Sequence, residues 1–311
     1  MKHYLLLLLL SSSLLEIYAE DSSKTVIASA YNHKLSAKER EASLKENEIY
    51  YFISTSNKTS ELSLTEKNNF SSAMEEAFSP KNILLFVHGD GFDIEKLAVR
   101  GAEFPDLYNI NTVLFAWASY KTSNNSIKNY HKSKKNAELS FISFLQLVDS
   151  IRNYAIENNV KASVIFHSLG NVFAQKYALF LENNPDVHQF FTNIIINSAS
   201  VPAKEHAFWV DMLCKKSSNN VYITVNKNDK ILNLVSTFVE YKSMLGRNPG
   251  YNKSQNAHYI DFTMLLKNIS SDKKMPSCHT YFISYPPREN SKIWEFYNQL
   301  FNSNLLNLSD L

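Results

Sequence analysis

The residues best suited to chemistry fall in a few short stretches. In His167-Ser168-Leu169-Gly170 a serine occupies a sharp break between the apolar run Ala162–Phe166 and a segment with Val172, Phe173, Tyr177 and Phe180 at helical spacing. Strand, serine-bearing turn, helix is the pattern of a nucleophile elbow, which lifts the hydroxyl clear of the sheet and turns backbone N–H groups toward it. A serine capping a helix N-terminus reads the same way, and S-x-G alone recurs by chance in a serine-rich chain. The companions decide. His88-Gly89-Asp90-Gly91 follows the apolar ILLFV and reads as a tight loop with exposed N–H donors. Asp229 follows VYITV, and His279 lies beyond the last apolar run. A hydroxyl, an imidazole, a carboxylate and a pair of N–H donors are what nucleophilic acyl transfer requires.

The elements that must bring these groups together can be read in order. Ile49–Ser54, Ile83–Val87, Thr112–Trp117, Ala162–Phe166, Asn193–Asn197, Val221–Val225 and His258–Phe262 read as strands. Helices are expected over Asp93–Phe104 with Asp93 as N-cap, over Ala137–Asn158 as one long amphipathic run, after the elbow, and over Pro202–Leu213, Ile231–Leu245 and Ser291–Phe301. Residues 57–69 give little signal, 120–132 read as a surface loop, and 265–280 read as loop. The alternation predicts an α/β fold, a mostly parallel sheet with helices on both faces. In such a sheet, residues just past the C-terminal strand ends converge on one edge. His258 begins its strand and is therefore expected at the opposite edge, while Asp211 and Asp261 fall inside elements.

The first residues combine Lys2, an apolar run from Leu5 to Leu15 and Ala19 before Glu20, so residues 1–19 read as a signal peptide. The run is shorter than the ~20 residues a stable membrane span needs, with an uncleaved anchor as the alternative. Export, to a periplasm or the exterior, is the expectation. Residues 20–46 are polar and read as an N-terminal extension, a mobile arm or peripheral helix, leaving 47–311 as one catalytic domain. The charge is nearly balanced, 32 basic against 30 acidic residues, which gives no case for nucleic acid as a partner. Cys214 and Cys278 are expected at opposite sheet edges, about 17–20 Å apart and out of disulfide reach, hence as free thiols. The histidines lack metal-ligand spacing and no phosphate-binding glycine motif follows a strand, so neither metal nor cofactor is expected.

With the HG loop first and then Ser…Asp…His, the chain order is that of the α/β-hydrolases, a superfamily this chain resembles. More narrowly it resembles the bacterial DUF900 family of α/β-hydrolases of unknown function. The likeness is carried by LLFVHGDGF (84–92), LFAWAS (114–119), IFHSLGN (165–171), ITVNKNDKIL (223–232) and CHTYF (278–282), across about residues 48–285. It implies an α/β-hydrolase fold and a serine hydrolase acting on an ester or related acyl bond, with a small-molecule or lipid-like acyl substrate. Ser168 is then the nucleophile, His279 its base and Asp229 the acid orienting the base. Leu169 and Asp90 supply the oxyanion N–H groups, with His88, Gly89, Gly91 and Gly170 in support. The chain departs from the family at Phe166, Ala118 and Ala199-Ser200, and Phe166 beside the turn predicts a locally distorted elbow. A non-catalytic binding protein on the same scaffold, or a peptidase or amidase with the same triad, are the alternatives.

Overall fold

The computed structural model describes residues 23–36, 39–40, 43–56, 62–185, 187, 190–218, 220–270 and 278–306. The stretch read as a signal peptide lies outside the described residues. In chain order the strands are β1 (Ser23–Ser29), β2 (Tyr50–Ser56), β3 (Leu62–Lys67), β4 (Ile83–Val87), β5 (Asn111–Ala116), β6 (Ala162–His167), β7 (Ile194–Asn197), β8 (Val221–Val225) and β9 (His258–Asp261). Between and after them come α1 (Phe70–Ala77), α2 (Ile94–Gly101), α3 (Glu103–Tyr108), α4 (Ser126–Leu139), α5 (Phe141–Glu157) and α6 (Asn171–Asn183). The series ends with α7 (His206–Lys216), α8 (Lys230–Phe238), α9 (Thr263–Ser270), α10 (Tyr285–Glu289) and α11 (Ser291–Phe301). Asp93 caps α2 as expected, its side chain accepting the Lys96 N–H.

The strands form one sheet in the order β3-β2-β1-β5-β4-β6-β7-β8-β9. From β1 through β5 to β9 every pairing is parallel, and only β1–β2 and β2–β3 are antiparallel. Every residue of β4, β5 and β6 is buried, so both faces at the centre of the sheet are covered. Phe115 and Phe144 pack together over one part of this core, and Phe86 and Phe282 over another. Among the described residues, no helix is long and apolar enough to cross a membrane.

Several local expectations give way. Residues 23–29, read as part of a mobile arm or peripheral helix, form β1 inside the sheet, with Val26, Ile27 and Ala28 fully buried. Their short apolar centre is masked in sequence by the charged stretch after it. The uninformative stretch before Asn69 contains β3, a terminal strand whose Leu62/Leu64 alternation is its only apolar signal. The expected surface loop at 120–132 is largely α4, and the single long helix is two, meeting at Ser140. The buried face of α4 is Asn129, Tyr130, Ser133, Asn136 and Ala137, a helical spacing written mainly in polar residues. Those polar groups hold the preceding loop: Asn129 Oδ1 accepts the Thr122 N–H at 3.2 Å, and Asn136 Nδ2 donates to Ala118 O at 2.9 Å. Finally, α8 stops at Phe238, and 263–270 is helical rather than loop.

Candidate active site

The turn at Ser168 is built from close approaches. Strand β6 pairs Phe166 with Val87 and His167 with Asn197, and the chain then reverses into α6. Ser168 has φ +54°, a left-handed conformation that costs a non-glycine residue energy. A Cβ added to Gly89 would lie 2.7 Å from Ser168 Cβ, and one on Gly170 would lie 2.5 Å from His88 O. Only glycine lets the HG loop and the start of α6 come this near. The amide of Asn171 fastens the turn, donating to Phe166 O at 3.1 Å, Ser168 O at 2.9 Å and Asn197 O at 3.2 Å. The Ser200 N–H also donates to Ser168 O, at 3.1 Å. Phe166 does not distort the elbow as its size suggested. It is fully buried, packs on Phe144 at 5.9 Å between ring centres, and leaves Ser168 in the left-handed region.

His279 reaches the same edge on the segment beyond α9, and its Nδ1–H donates to Asp229 Oδ2 at 2.7 Å. The other Asp229 oxygen accepts the Leu232 N–H at 2.9 Å, capping α8. Asp229 is wholly buried, and both its oxygens are engaged. The backbone under His279 is pinned too. Ser198 Oγ donates to His279 O at 2.7 Å, and Asn226 Nδ2 donates to Cys278 O at 2.7 Å. His279 packs on His167, ring centres 4.8 Å apart. Burial, and then the neighbouring His279, push the His167 pKa well below its ordinary value. Neutral His167 donates from Nδ1 to Asn197 Oδ1 at 3.0 Å. Asn197 in turn donates to Thr224 Oγ1 at 2.9 Å and Tyr297 OH at 2.7 Å.

In the HG loop, Gly91 at φ +80° and Phe92 spend their N–H groups on Ser119 O at 2.8 Å and Ser119 Oγ at 3.1 Å. His88 shapes the turn. Its Nδ1–H donates to Gly89 O at 2.7 Å, its Nε2 accepts the Trp117 N–H at 3.3 Å, and its ring stacks on Trp117 at 5.2 Å. Burial lowers its pKa to about 3, so it stays neutral. The Asp90 carboxyl is pushed up by burial, and among the described residues its Oδ1 has no hydrogen-bond partner.

Ser168, His279, His167, Gly89 and Asp90 all border one cleft of about 450 Å³. Among the described residues the Ser168 hydroxyl has no hydrogen-bond partner, while Ser168 and His279 each remain 8% exposed. The rival residues sit elsewhere. His258 stacks on Tyr222 at the start of β9, Asp211 accepts from Ser254 and Asn256, and Asp261 pairs with Lys227 at 3.0 Å. Cys214 and Cys278 are both buried and are not joined by a disulfide. Among the described residues no three His, Cys, Asp or Glu side chains are grouped as metal ligands would be. Sequence reasoning missed the roles of Asn171, Ser198 and Asn226. The only trace of them was an asparagine closing the elbow motif and another opening NKND.

A strained serine between strand and helix, at the C-terminal edge of a parallel sheet, belongs to the α/β-hydrolase class. The family model for alpha/beta hydrolase of unknown function (DUF900) matches residues 64–287, and the chain belongs to that family. No curated protein and no solved structure is matched by the chain.

Proposed function

We propose that the protein is a serine hydrolase that cleaves an ester or related acyl bond through an acyl-enzyme. The observation that carries this reading is the left-handed Ser168 turn sharing a cleft with the His279–Asp229 pair. His279 holds its Nδ1 proton on Asp229, which leaves Nε2 as the free base. Nε2 takes the Ser168 proton as Oγ attacks the acyl carbon, and the resulting imidazolium is stabilised by the buried carboxylate. The tetrahedral oxygen draws on the N–H of Leu169, in a first helical turn without intrahelical acceptors, and on that of Asp90. Within the HG loop the next two N–H groups are already held by Ser119, which supports Asp90 as the second donor. The imidazolium then gives its proton to the leaving group as the C–O bond breaks. Water, deprotonated by the same Nε2, attacks the acyl-serine and restores the hydroxyl. The leader-like first residues support export of the enzyme.

The deciding experiment is labelling with a fluorophosphonate probe, with the adduct located by peptide mass spectrometry. The expected adduct is on Ser168, absent in Ser168→Ala and weakened in His279→Ala. A folded protein that never labels, or labels at another serine, overturns the proposal.

A further inference from the structure

The cleft above Ser168 is lined on two sides by side chains of one character. Ile231, Leu234, Val235 and Phe238 come from α8, and Ile127 and Tyr130 from α4. Exposed apolar residues scattered singly are ordinary; a group of them around one cleft is not. Here Ile127 is 44% exposed, Leu234 52% and Phe238 57%. Each is large, each is left in water, and each borders the cleft that contains the serine. The two walls are also tied together. Lys134 Nζ on α4 lies 2.7 Å from Oε1 of Glu240, two residues past the end of α8, and the Glu240 side chain is only 10% exposed. Tyr130 adds a second anchor, its hydroxyl donating to Ser200 O at 3.2 Å.

The charge inside the cleft is equally selective. Among the described residues no Lys or Arg lines it, so an anionic acyl group finds no countercharge there. The acidic side chain that does line it, Asp90, has its Oδ1 buried without a partner and offers a second carboxylate neither a countercharge nor a compensating ion pair. An uncharged aliphatic chain meets neither objection and would cover the exposed faces of Ile127, Leu234 and Phe238.

We propose that the cleft between α4 and α8 receives the acyl chain of an uncharged, aliphatic ester, with chain length read by Ile127, Leu234 and Phe238. This rests on Ser168 being the nucleophile and adds the substrate class to that reading. Each methylene that leaves water for the cleft strengthens binding in the transition state, so turnover rises with chain length while the chain still finds apolar wall.

The test is a series of p-nitrophenyl esters, acetyl, butanoyl and octanoyl, together with the anionic hemisuccinyl ester, on the full chain. Octanoyl should exceed acetyl in kcat/KM by about tenfold or more, and hemisuccinyl should fall about tenfold below butanoyl. The double variant Leu234→Ser/Phe238→Ser changes exposed side chains and should fold, which its melting curve checks. Its octanoyl-to-acetyl ratio should drop toward one. A wild-type ratio at or below one, or preference for the hemisuccinyl ester, in protein that still takes the fluorophosphonate on Ser168 overturns the substrate class alone. Failure of Ser168 to label overturns the serine reading, and the substrate class falls with it.

Discussion

Asp229 joins His279 to the start of α8: one carboxylate oxygen accepts His279 Nδ1–H at 2.7 Å and the other accepts Leu232 N–H at 2.9 Å. The helix that walls the cleft and the imidazole that faces it are thus registered by a single buried side chain. A change at this residue has two separable effects, one on chemistry and one on the helix.

Asp229→Asn keeps a side-chain oxygen for the Leu232 N–H but loses the charge and the tautomer control. Ester hydrolysis should fall by about ten-thousandfold with little loss of stability. Asp229→Ala should lose the same activity and also about 1 kcal/mol of stability through the missing cap. Urea melts beside steady-state rates separate the two; equal stabilities would mean the cap contributes nothing.

Ser168→Gly should be inactive yet more stable than the wild type. The left-handed φ of +54° is strained for serine and relaxed for glycine, and the hydroxyl gives up no hydrogen bond to a described residue. The gain should be up to about 1 kcal/mol, or roughly 2 °C in Tm. A lower Tm than wild type would show that the turn carries no such strain.

Asn171→Ala removes the amide that serves the carbonyls of Phe166, Ser168 and Asn197 at once. The expected loss is about 1–3 kcal/mol, with kcat/KM reduced because the turn is no longer fastened. Unchanged thermal stability would exclude that role.

Stability should fall on mild acidification. His88 is held neutral with a pKa near 3, and His167 is likewise depressed, so below their ordinary value the unfolded chain binds protons that the fold refuses. The stability these neutral rings contribute is complete above pH ~6.5 and is lost as pH falls below it; for His88 the loss runs down toward pH 3, at up to about 1.4 kcal/mol per pH unit. The raised Asp90 carboxyl acts in the opposite sense at the lower end of that window, because the fold takes up its proton more readily. Urea midpoints at pH 7.5, 6 and 5 should decline in order, and His88→Asn, if folded, should flatten the decline. A midpoint independent of pH would contradict the burial of neutral imidazoles.

The sequence was most legible where physical signals were local. Ile83–Val87 and Val221–Val225 are unbroken apolar runs closed by turn residues, and both are strands over those residues. The α11 helix also has its expected bounds, with Ile293, Phe296, Tyr297 and Leu300 repeating at helical spacing on the buried face. Helix α4 was illegible because Asn129, Ser133 and Asn136 face inward and give no hydrophobic period. At the site, the strand-turn-helix pattern, the positions after strands, the chain order and the family likeness together pointed to Ser168, Asp229 and His279, and the structure brings Asp229 against His279 and both His279 and Ser168 to one cleft. Ser198 and Asn226 could not be read, since each serves a carbonyl group dozens of residues away and neither residue type announces that partner.

Strand β1 lies in the interior of the sheet, between β2 and β5, although it precedes the family-matched segment that begins at residue 64. It fixes how far the chain can be shortened. A chain started at residue 47 would strip β2 and β5 of a shared neighbour and leave two facing, unpaired edges within the sheet, an invitation to self-association. The smallest piece able to close this sheet therefore includes Ser23–Ser29, outside the stretch by which the family is recognised.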